Sequence, residues 1–243
     1  MNNFGLHPLV LRRHPGPVRR RRARWWLGLR VALVRRYWAW RIPADEFLKR
    51  AFDIGFSATV LVLISPLLAA LALLIKLEDR GPVVFRQTRV GRHGQEFIMF
   101  KFRSMRPDAE QRLRELLARN QHKTGVTFKL KDDPRVTRIG RWLRKFSLDE
   151  LPQFYNVLIG DMSVVGPRPP VPREVELYTL ADRRRLAVQP GITCIWQISG
   201  RAQIDFHGQV ELDVRYIESR GFWNDLRIIS KTLPAVVSGT GAY

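Results

Sequence analysis

Cysteine is almost missing from this 243-residue chain: Cys194 is the sole one. One thiol excludes an intrachain disulfide framework and any multi-cysteine metal site, and an isolated cysteine ordinarily serves as a small buried hydrophobe. The histidines, at 7, 14, 93, 122 and 207, show no metal-ligand spacing. There is no Walker A loop, no G-x-G-x-x-G and no G-x-S-x-G, so P-loop, Rossmann-type and α/β-hydrolase chemistry find no support. Negative charge is scarce too. Asp+Glu number 22 against 42 Lys+Arg, a net charge of +20. That excess calls for an anionic partner: nucleic acid, acidic lipid or a phosphorylated substrate. The 45% hydrophobic content is ordinary for a folded chain. The length allows one or two domains and a sizeable core.

Charge of either sign is absent from Ile54 to Ile75, IGFSATVLVLISPLLAALALLI. This run meets the length rule for a membrane helix, and a soluble core helix rarely stays uncharged on every face for so long. It also starts too far along the chain for a cleaved signal peptide. Ser65-Pro66 sits at its middle, where proline removes a backbone donor and should kink the helix. Both flanks are basic: residues 1–53 and residues 76–243 each carry a net +10. Positive segments prefer the cytoplasmic side. A hairpin that enters, bends at Ser65-Pro66 and leaves on the same face satisfies both flanks; a single kinked span is the alternative.

Before the run, RRHPGPVRRRRARWW reads as disordered in its first part. Trp25, Trp26, Tyr37, Trp38 and Trp40 then intersperse with Arg30, Arg35 and Arg36. Aromatics with arginine suit an anionic membrane interface, although nucleic-acid binding uses the same residue types. After the run, residues 82–91 and 95–105 are two β-like segments around Arg92-His93-Gly94, which predicts a hairpin. An amphipathic surface helix is expected over 107–122, a basic helix around Ile139 to Lys145, and a helix over 147–161 with start and stop signals. Residues 164–172 read as a rigid proline-rich turn. Helices over 173–186 and 207–219 flank a glycine-containing loop at 190–201, and a last helix over 223–237 begins at an Asn224 cap, with Ile228, Ile229, Thr232 and Leu233 on one side.

Ser147-Leu148-Asp149-Glu150 has the spacing of a capping box. Two readings stand side by side. In one, Asp149 and Glu150 only cap a helix; in the other, stabilised as anions by free amides and the helix dipole, they form a nucleophile or Mg²⁺ ligand. The surroundings are cationic, with Arg141, Arg144 and Lys145 before the acids and Arg168 in the stiff Gly166-Pro167-Arg168-Pro169 turn. Arginine on a rigid turn suits phosphate recognition. Lys101 and Arg103 share a strand face, so alternation with Phe100 and Phe102 would aim both cations at one surface.

These strings resemble a known family. KRAFDIGFSATVLVLISPLLAALALLIKLEDRGPVVFRQTRVGRHGQEFIMFKFRSM, RKFSLDELPQFYNVLIGDMSVVGPRPP, PGITCIWQISGR and ELDVRYI, in that order over about residues 47–240, are similar to the bacterial sugar transferases. These are monotopic phosphoglycosyl transferases that start polysaccharide and glycan assembly on a polyprenol phosphate. The resemblance implies a re-entrant membrane helix bent at Ser65-Pro66, entering one leaflet from the cytoplasm. It implies an Asp149-Glu150 dyad in which Asp149 attacks the β-phosphate of a UDP-sugar with Mg²⁺ assisting. UMP leaves, and the phosphosugar passes from Asp149 to undecaprenyl phosphate. Lys101, Arg144 and Arg168 match family residues near the phosphates, and Arg103 and Arg201 complete the expected phosphate-binding set. Asp149 is also the expected metal ligand.

Residues and resemblance together lead to an α+β, mainly helical fold. Residues 1–46 form a basic aromatic-rich extension, 47–78 the re-entrant helix, and 79–243 a cytoplasmic catalytic domain with interfacial helices and a small β-hairpin. The expected activity is transfer of a sugar-1-phosphate, a hexose-1-phosphate by the likeness of ITCIWQISGR, at the bacterial cytoplasmic membrane. The expected partners are a UDP-sugar, undecaprenyl phosphate and the inner leaflet, without nucleic acid; a homo-oligomer stays open. Cys194 departs from the family, standing where glycine is common, and the first 40 residues have no counterpart in it. A non-catalytic, membrane-anchored protein holding anionic lipid or nucleic acid is the competing reading.

Overall fold

The computed structural model describes residues 17–109, 111–112, 133–200 and 204–238, with side chains from residue 44 onward. By internal contacts the chain divides into residues 1–46 and residues 47–243. In the first unit the described part is helical from Pro17, within the segment expected to begin disordered; residues before Pro17, the helix expected over 107–122 apart from its first residues, and Arg201 lie outside the described residues.

Helix α1 spans Pro17–Asp79. Its stretch Ala44–Asp79 is long and apolar enough to cross a membrane, the one such helix among the described residues. Val62 and Leu63 are 72% and 74% exposed, an apolar surface of the kind that lipid or a partner covers. The helix continues through Ser65-Pro66. Pro66 has no N–H to give the Val62 carbonyl four residues back, and the Ser65 hydroxyl donates to that same carbonyl at 2.8 Å. The serine thus replaces the bond that the proline removes.

The hairpin forms as expected. Strand β1 (Val84–Val90) pairs antiparallel with β2 (Glu96–Phe102), with Phe85 opposite Lys101 and Gln87 opposite Met99. His93 and Gly94, at φ 58° and 82°, make its tight turn. Helix α2 (Arg138–Lys145) starts at Thr137, whose hydroxyl accepts from the Gly140 amide at 2.9 Å. Residues 147–161 do not form the single helix the sequence predicts. They form a 3₁₀ turn (Leu148–Glu150) and then helix α3 (Gln153–Ile159), with Pro152 between. Ser147 adopts φ 54° and its side chain caps nothing, so the capping box is absent despite its spacing.

A second, two-stranded parallel sheet lies where the sequence suggested only a turn and a loop. Strand β3 (Ser163–Val165) pairs with β4 (Gly191–Thr193). The backbones then touch beyond the strand end: a Cβ on Gly191 would lie 2.0 Å from the Gly166 nitrogen, so glycine is required. Between these strands come α4 (Pro172–Glu176) and a 3₁₀ turn (Asp182–Ala187), shorter pieces than the expected helix over 173–186. The chain closes with α5 (Ile195–Ile198), α6 (Phe206–Ser219) and α7 (Phe222–Ser238). α7 begins before Asn224, whose side chain instead donates back to the Ser219 carbonyl at 3.3 Å.

The main core joins Met99 of β2, Val157 of α3, Met162, Val164 and Val165 around β3, Tyr216 of α6 and Ile228 of α7. Both ends of the apolar run are fastened to this body. At the first end, Lys49 Nζ donates to Asp225 at 2.5 Å and to the Val165 carbonyl at 3.2 Å. Arg50 donates to the Val157 and Leu158 carbonyls at 2.6 and 2.8 Å, in the last turn of α3, where carbonyls lack helical partners. Asp53 accepts from the Val164 amide at 3.1 Å. At the other end, Leu71 and Ile75 pack with Phe102 and Leu143. Glu78 accepts from the Ile139 amide at 3.2 Å, and Asp79 pairs with Arg103.

Candidate active site

Two neighbouring carboxyls occupy the 3₁₀ turn after α2. Leu148 and Leu151 pack into the cluster around Leu143, which fixes the turn and leaves the polar residues between them to face the site. Glu150 accepts a 2.9 Å bond from Lys101 Nζ. Lys101 is itself held in place by Asn156 of α3, which treats the free edge of β2 as a neighbouring strand would. Its Oδ1 accepts from the Phe100 amide at 2.9 Å and its Nδ2 donates to the Ile98 carbonyl at 2.7 Å. Asn156 has no exposed surface.

The Gly166–Pro170 segment, set by the β3–β4 contact, brings Arg168 to the same place. Gly191 donates to the Pro167 carbonyl at 2.8 Å and Val90 to the Pro170 carbonyl at 2.9 Å. A pocket is lined by Arg89, Met99, Lys101, Glu150, Gln153, Arg168, Pro169, Gly191, Ile192 and Gln197. Asp149 adjoins this wall through Glu150 and is 9% exposed. Arg168 is half-buried and makes no hydrogen bond or ion pair to any described residue.

Burial and cations split the two carboxyls. Burial raises the pKa of Asp149 above the ordinary carboxylate value; Lys101 pulls it down, Glu150 adds to the rise, and Arg144 opposes it. Glu150 is pushed the other way. Burial would raise it too, but Lys101, Arg168 and Arg89 together hold it below the ordinary value. Asp149 is thus not an anion stabilised by a helix start: it is the more basic of the two because it is buried and makes no ion pair with any described residue. Lys101 has its pKa lowered by burial, against the pull of Glu150, and Arg144 by burial, against Asp149 and Asp133.

Of the expected set, Lys101, Asp149, Glu150, Arg144 and Arg168 gather here. Arg103 does not. It lies one residue beyond β2, where its guanidinium pairs with Asp79, one bond measuring 2.6 Å, and its Nε donates to the Pro82 carbonyl at 2.6 Å. The shared strand face with Lys101 ends because β2 ends. Cys194 is buried, burial pushes its thiol pKa well up, and its φ of −151° is open to any residue, so cysteine in place of glycine asks nothing of the backbone. Three polar pocket residues, Arg89, Gln153 and Gln197, are not among those the sequence singled out for the site. Arg89, 7% exposed, donates to Gln87 Oε1 at 3.0 and 2.6 Å and to the Pro169 carbonyl at 2.8 Å. Burial and the neighbouring Arg168 lower its pKa to about 10. Its place on a half-exposed strand carried no signal until the turn from residue 166 folded onto it.

Among the described residues no group of three or more His, Cys, Asp or Glu converges. Asp149 and Glu150 supply two carboxyls from neighbouring residues, a donor set that fits Mg²⁺, which takes one or two carboxylates and completes its shell with water and phosphate oxygens.

A family model described as bacterial sugar transferase matches residues 44–239. The galactosyl transferase CpsE of Streptococcus agalactiae serotype III is 57% identical over 166 residues, which cover 68% of this chain and 37% of that protein. The undecaprenyl-phosphate galactose phosphotransferase of Salmonella typhimurium is 45% identical over 203 residues, 82% of this chain and 42% of that one. The exopolysaccharide production protein ExoY of Rhizobium meliloti is 42% identical over 204 residues, 83% of this chain and 90% of ExoY. The chain thus spans well under half the length of the first two relatives and most of the third.

Proposed function

The chain belongs to the bacterial sugar transferase family, and from that premise we propose that it transfers a hexose-1-phosphate from a UDP-sugar to undecaprenyl phosphate, releasing UMP, as a membrane step of polysaccharide synthesis. The names of its relatives, a galactose phosphotransferase on undecaprenyl phosphate and an exopolysaccharide production protein, support the substrate class. The observation that carries the mechanism is a buried Asp149 next to a Glu150 whose carboxyl Lys101 holds at 2.9 Å, burial raising the proton affinity of the first and the surrounding cations lowering that of the second.

In this reading an Asp149 oxygen attacks the β-phosphorus of the UDP-sugar. A carboxylate–phosphorus bond forms, the bond from that phosphorus to the bridging oxygen breaks, and the electron pair leaves with UMP. An oxygen of undecaprenyl phosphate then attacks the same phosphorus and Asp149 departs as a carboxylate. The raised proton affinity of Asp149 makes it the better nucleophile once ionised. Lys101, Arg144 and Arg168 offset the charge of two phosphates brought together. Arg103 is left out of this set because Asp79 engages it. Asp149 and Glu150 are the residues that would hold Mg²⁺, which when bound offsets phosphoryl charge.

The membrane arrangement follows the same logic. Lys49, Arg50 and Asp53 at one end of the apolar run and Glu78 and Asp79 at the other bind one body. A straight crossing of a hydrocarbon core about 30 Å thick would pull one set away from that body. We therefore favour a run that enters and leaves at the cytoplasmic face, turning near Ser65-Pro66, with Val62 and Leu63 in lipid. The test uses membranes holding the full chain, UDP-hexoses and undecaprenyl phosphate. UMP should be released with at least one UDP-hexose, and Asp149→Asn should bring release to background. Undiminished release from Asp149→Asn would refute the covalent role; no release from the parent with any UDP-hexose would favour a non-catalytic anion-binding protein.

A further inference from the structure

Among the described residues, the buried side-chain amides other than Gln153 hydrogen-bond within the protein. Asn156 makes its bonds to β2, and Gln209, 6% exposed, donates to the Ile204 carbonyl at 2.9 Å. Gln197 accepts from the Cys194 amide at 3.1 Å. Gln153 is 3% exposed, lies in the first turn of α3 and lines the pocket. Its carboxamide has no hydrogen-bond partner among the described residues, and its polar atoms are not among the fully enclosed unpartnered ones. The little surface that Gln153 keeps therefore includes the amide, which opens to the pocket. A pocket-facing amide that the fold leaves unbonded has its donors and acceptor ready for a ligand.

The neighbourhood says which ligand. Glu150 stands three residues before Gln153, and the pocket's other polar walls are Lys101, Arg89, Arg168 and Gln197, whose Oε1 is taken by the Cys194 amide. Three cationic donors select for an anionic oxygen, and an amide N–H to such an oxygen is a charge-assisted bond. A neutral donor also steadies developing charge without adding a fourth cation to a site where burial already strips Lys101 and Arg89 of hydration.

We propose that Gln153 is a substrate-binding residue whose Nε2–H donates to a non-bridging oxygen of the phosphoryl group that Asp149 attacks. This rests on the proposed transfer from a UDP-sugar. The test compares full-length Asp149→Asn with Asp149→Asn/Gln153→Met and Asp149→Asn/Gln153→Glu in detergent micelles with Mg²⁺, a background in which turnover is stopped. Thermal titrations with UDP-glucose, UDP-galactose and inorganic pyrophosphate give apparent Kd values. Methionine nearly matches glutamine in shape, and the amide it removes makes no bond to any described residue, so the ligand-free melting temperature should hold. Affinity for the UDP-hexose that binds and for pyrophosphate should each fall about 10-fold or more, the scale of one lost charge-assisted bond. Glutamate keeps the shape, loses the donor and repels the phosphoryl group, so its loss should be larger. Unchanged affinities, or a lower ligand-free melting temperature with unchanged affinities, would overturn the inference. Loss confined to the UDP-hexose with pyrophosphate unaffected would also overturn it, because the amide would then be reading the sugar. If Asp149→Asn itself bound none of the three probes, the transfer reading would fall and this inference with it.

Discussion

Asn156→Ala tests whether one side chain holds β2, which bears Lys101, in register with the turn that bears Asp149 and Glu150. The carboxamide has no exposed surface, and it satisfies the Phe100 amide at 2.9 Å, the Ile98 carbonyl at 2.7 Å and an Asp161 oxygen at 3.1 Å. Alanine leaves the two backbone groups on the free edge of β2 without that partner. At about 1–3 kcal/mol for each buried group left unsatisfied, the two together cost about 2–6 kcal/mol. Taking about 4 kcal/mol, and about 2–4 °C per kcal/mol for a folded unit of this size, the melting temperature should drop by roughly 8–16 °C. Asn156→Asp keeps an acceptor for the Phe100 amide but turns carboxylate oxygen toward the Ile98 carbonyl and Asp161, so it should be at least as destabilised. The assay is tryptophan fluorescence during thermal unfolding in micelles. At temperatures well below melting, kcat/KM should also fall, because Lys101 follows Phe100 on the same strand and supports Glu150. An Asn156→Ala protein that melts with the parent would refute the reasoning, since it would mean that β2 does not depend on its side-chain neighbour.

Three further outcomes follow from the site and the helix. Glu150→Gln keeps the shape but gives up the ion pair with Lys101; activity should fall about 10²-fold or more, and a drop in melting temperature with activity intact would reduce Glu150 to a structural role. Burial raises Asp149 and Arg144 pulls it down, so kcat/KM should decline on acidification at a pH above the ordinary carboxylate range, and Arg144→Gln should move that limb to higher pH; a limb that moves down would contradict the assignment. For topology, Ala44→Cys and Gln95→Cys, each in a Cys194→Ala background, should be labelled by an impermeant thiol reagent from the same side of sealed vesicles, whereas replacing Ser65-Pro66 with Leu-Leu should move one label across; labelling of the two cysteines from opposite sides in the parent would leave a single-span anchor.

The long-range pattern of this protein was written in its sequence. A charge-free run with basic flanks needs no tertiary contact to be read, because lipid and water sort residues by composition. The β1–β2 hairpin was legible for a similar reason: two alternating segments around a glycine turn carry a local period. Asp149, Glu150, Lys101, Arg144 and Arg168 stood out as acids among cations, and as a string similar to a known family.

What the sequence did not decide was how those groups divide the work. The Ser147–Glu150 spacing suggested a helix cap, yet Ser147 takes a left-handed conformation and Glu150 turns to Lys101, because a partner on a distant strand outcompetes the local amides. Arg103 shared a strand pattern with Lys101, and only the folded end of α1, bringing Asp79 to it, separated their roles. Strands β3 and β4 are three residues each, too short to carry a period, and they exist because Gly166 and Gly191 let two backbones touch. That contact sets the turn bearing Arg168 and folds it onto Arg89. The proton affinities of Asp149 and Glu150 diverge for the same reason: residue type sets an acid's ordinary value, while burial and the charges gathered around it belong to the tertiary structure.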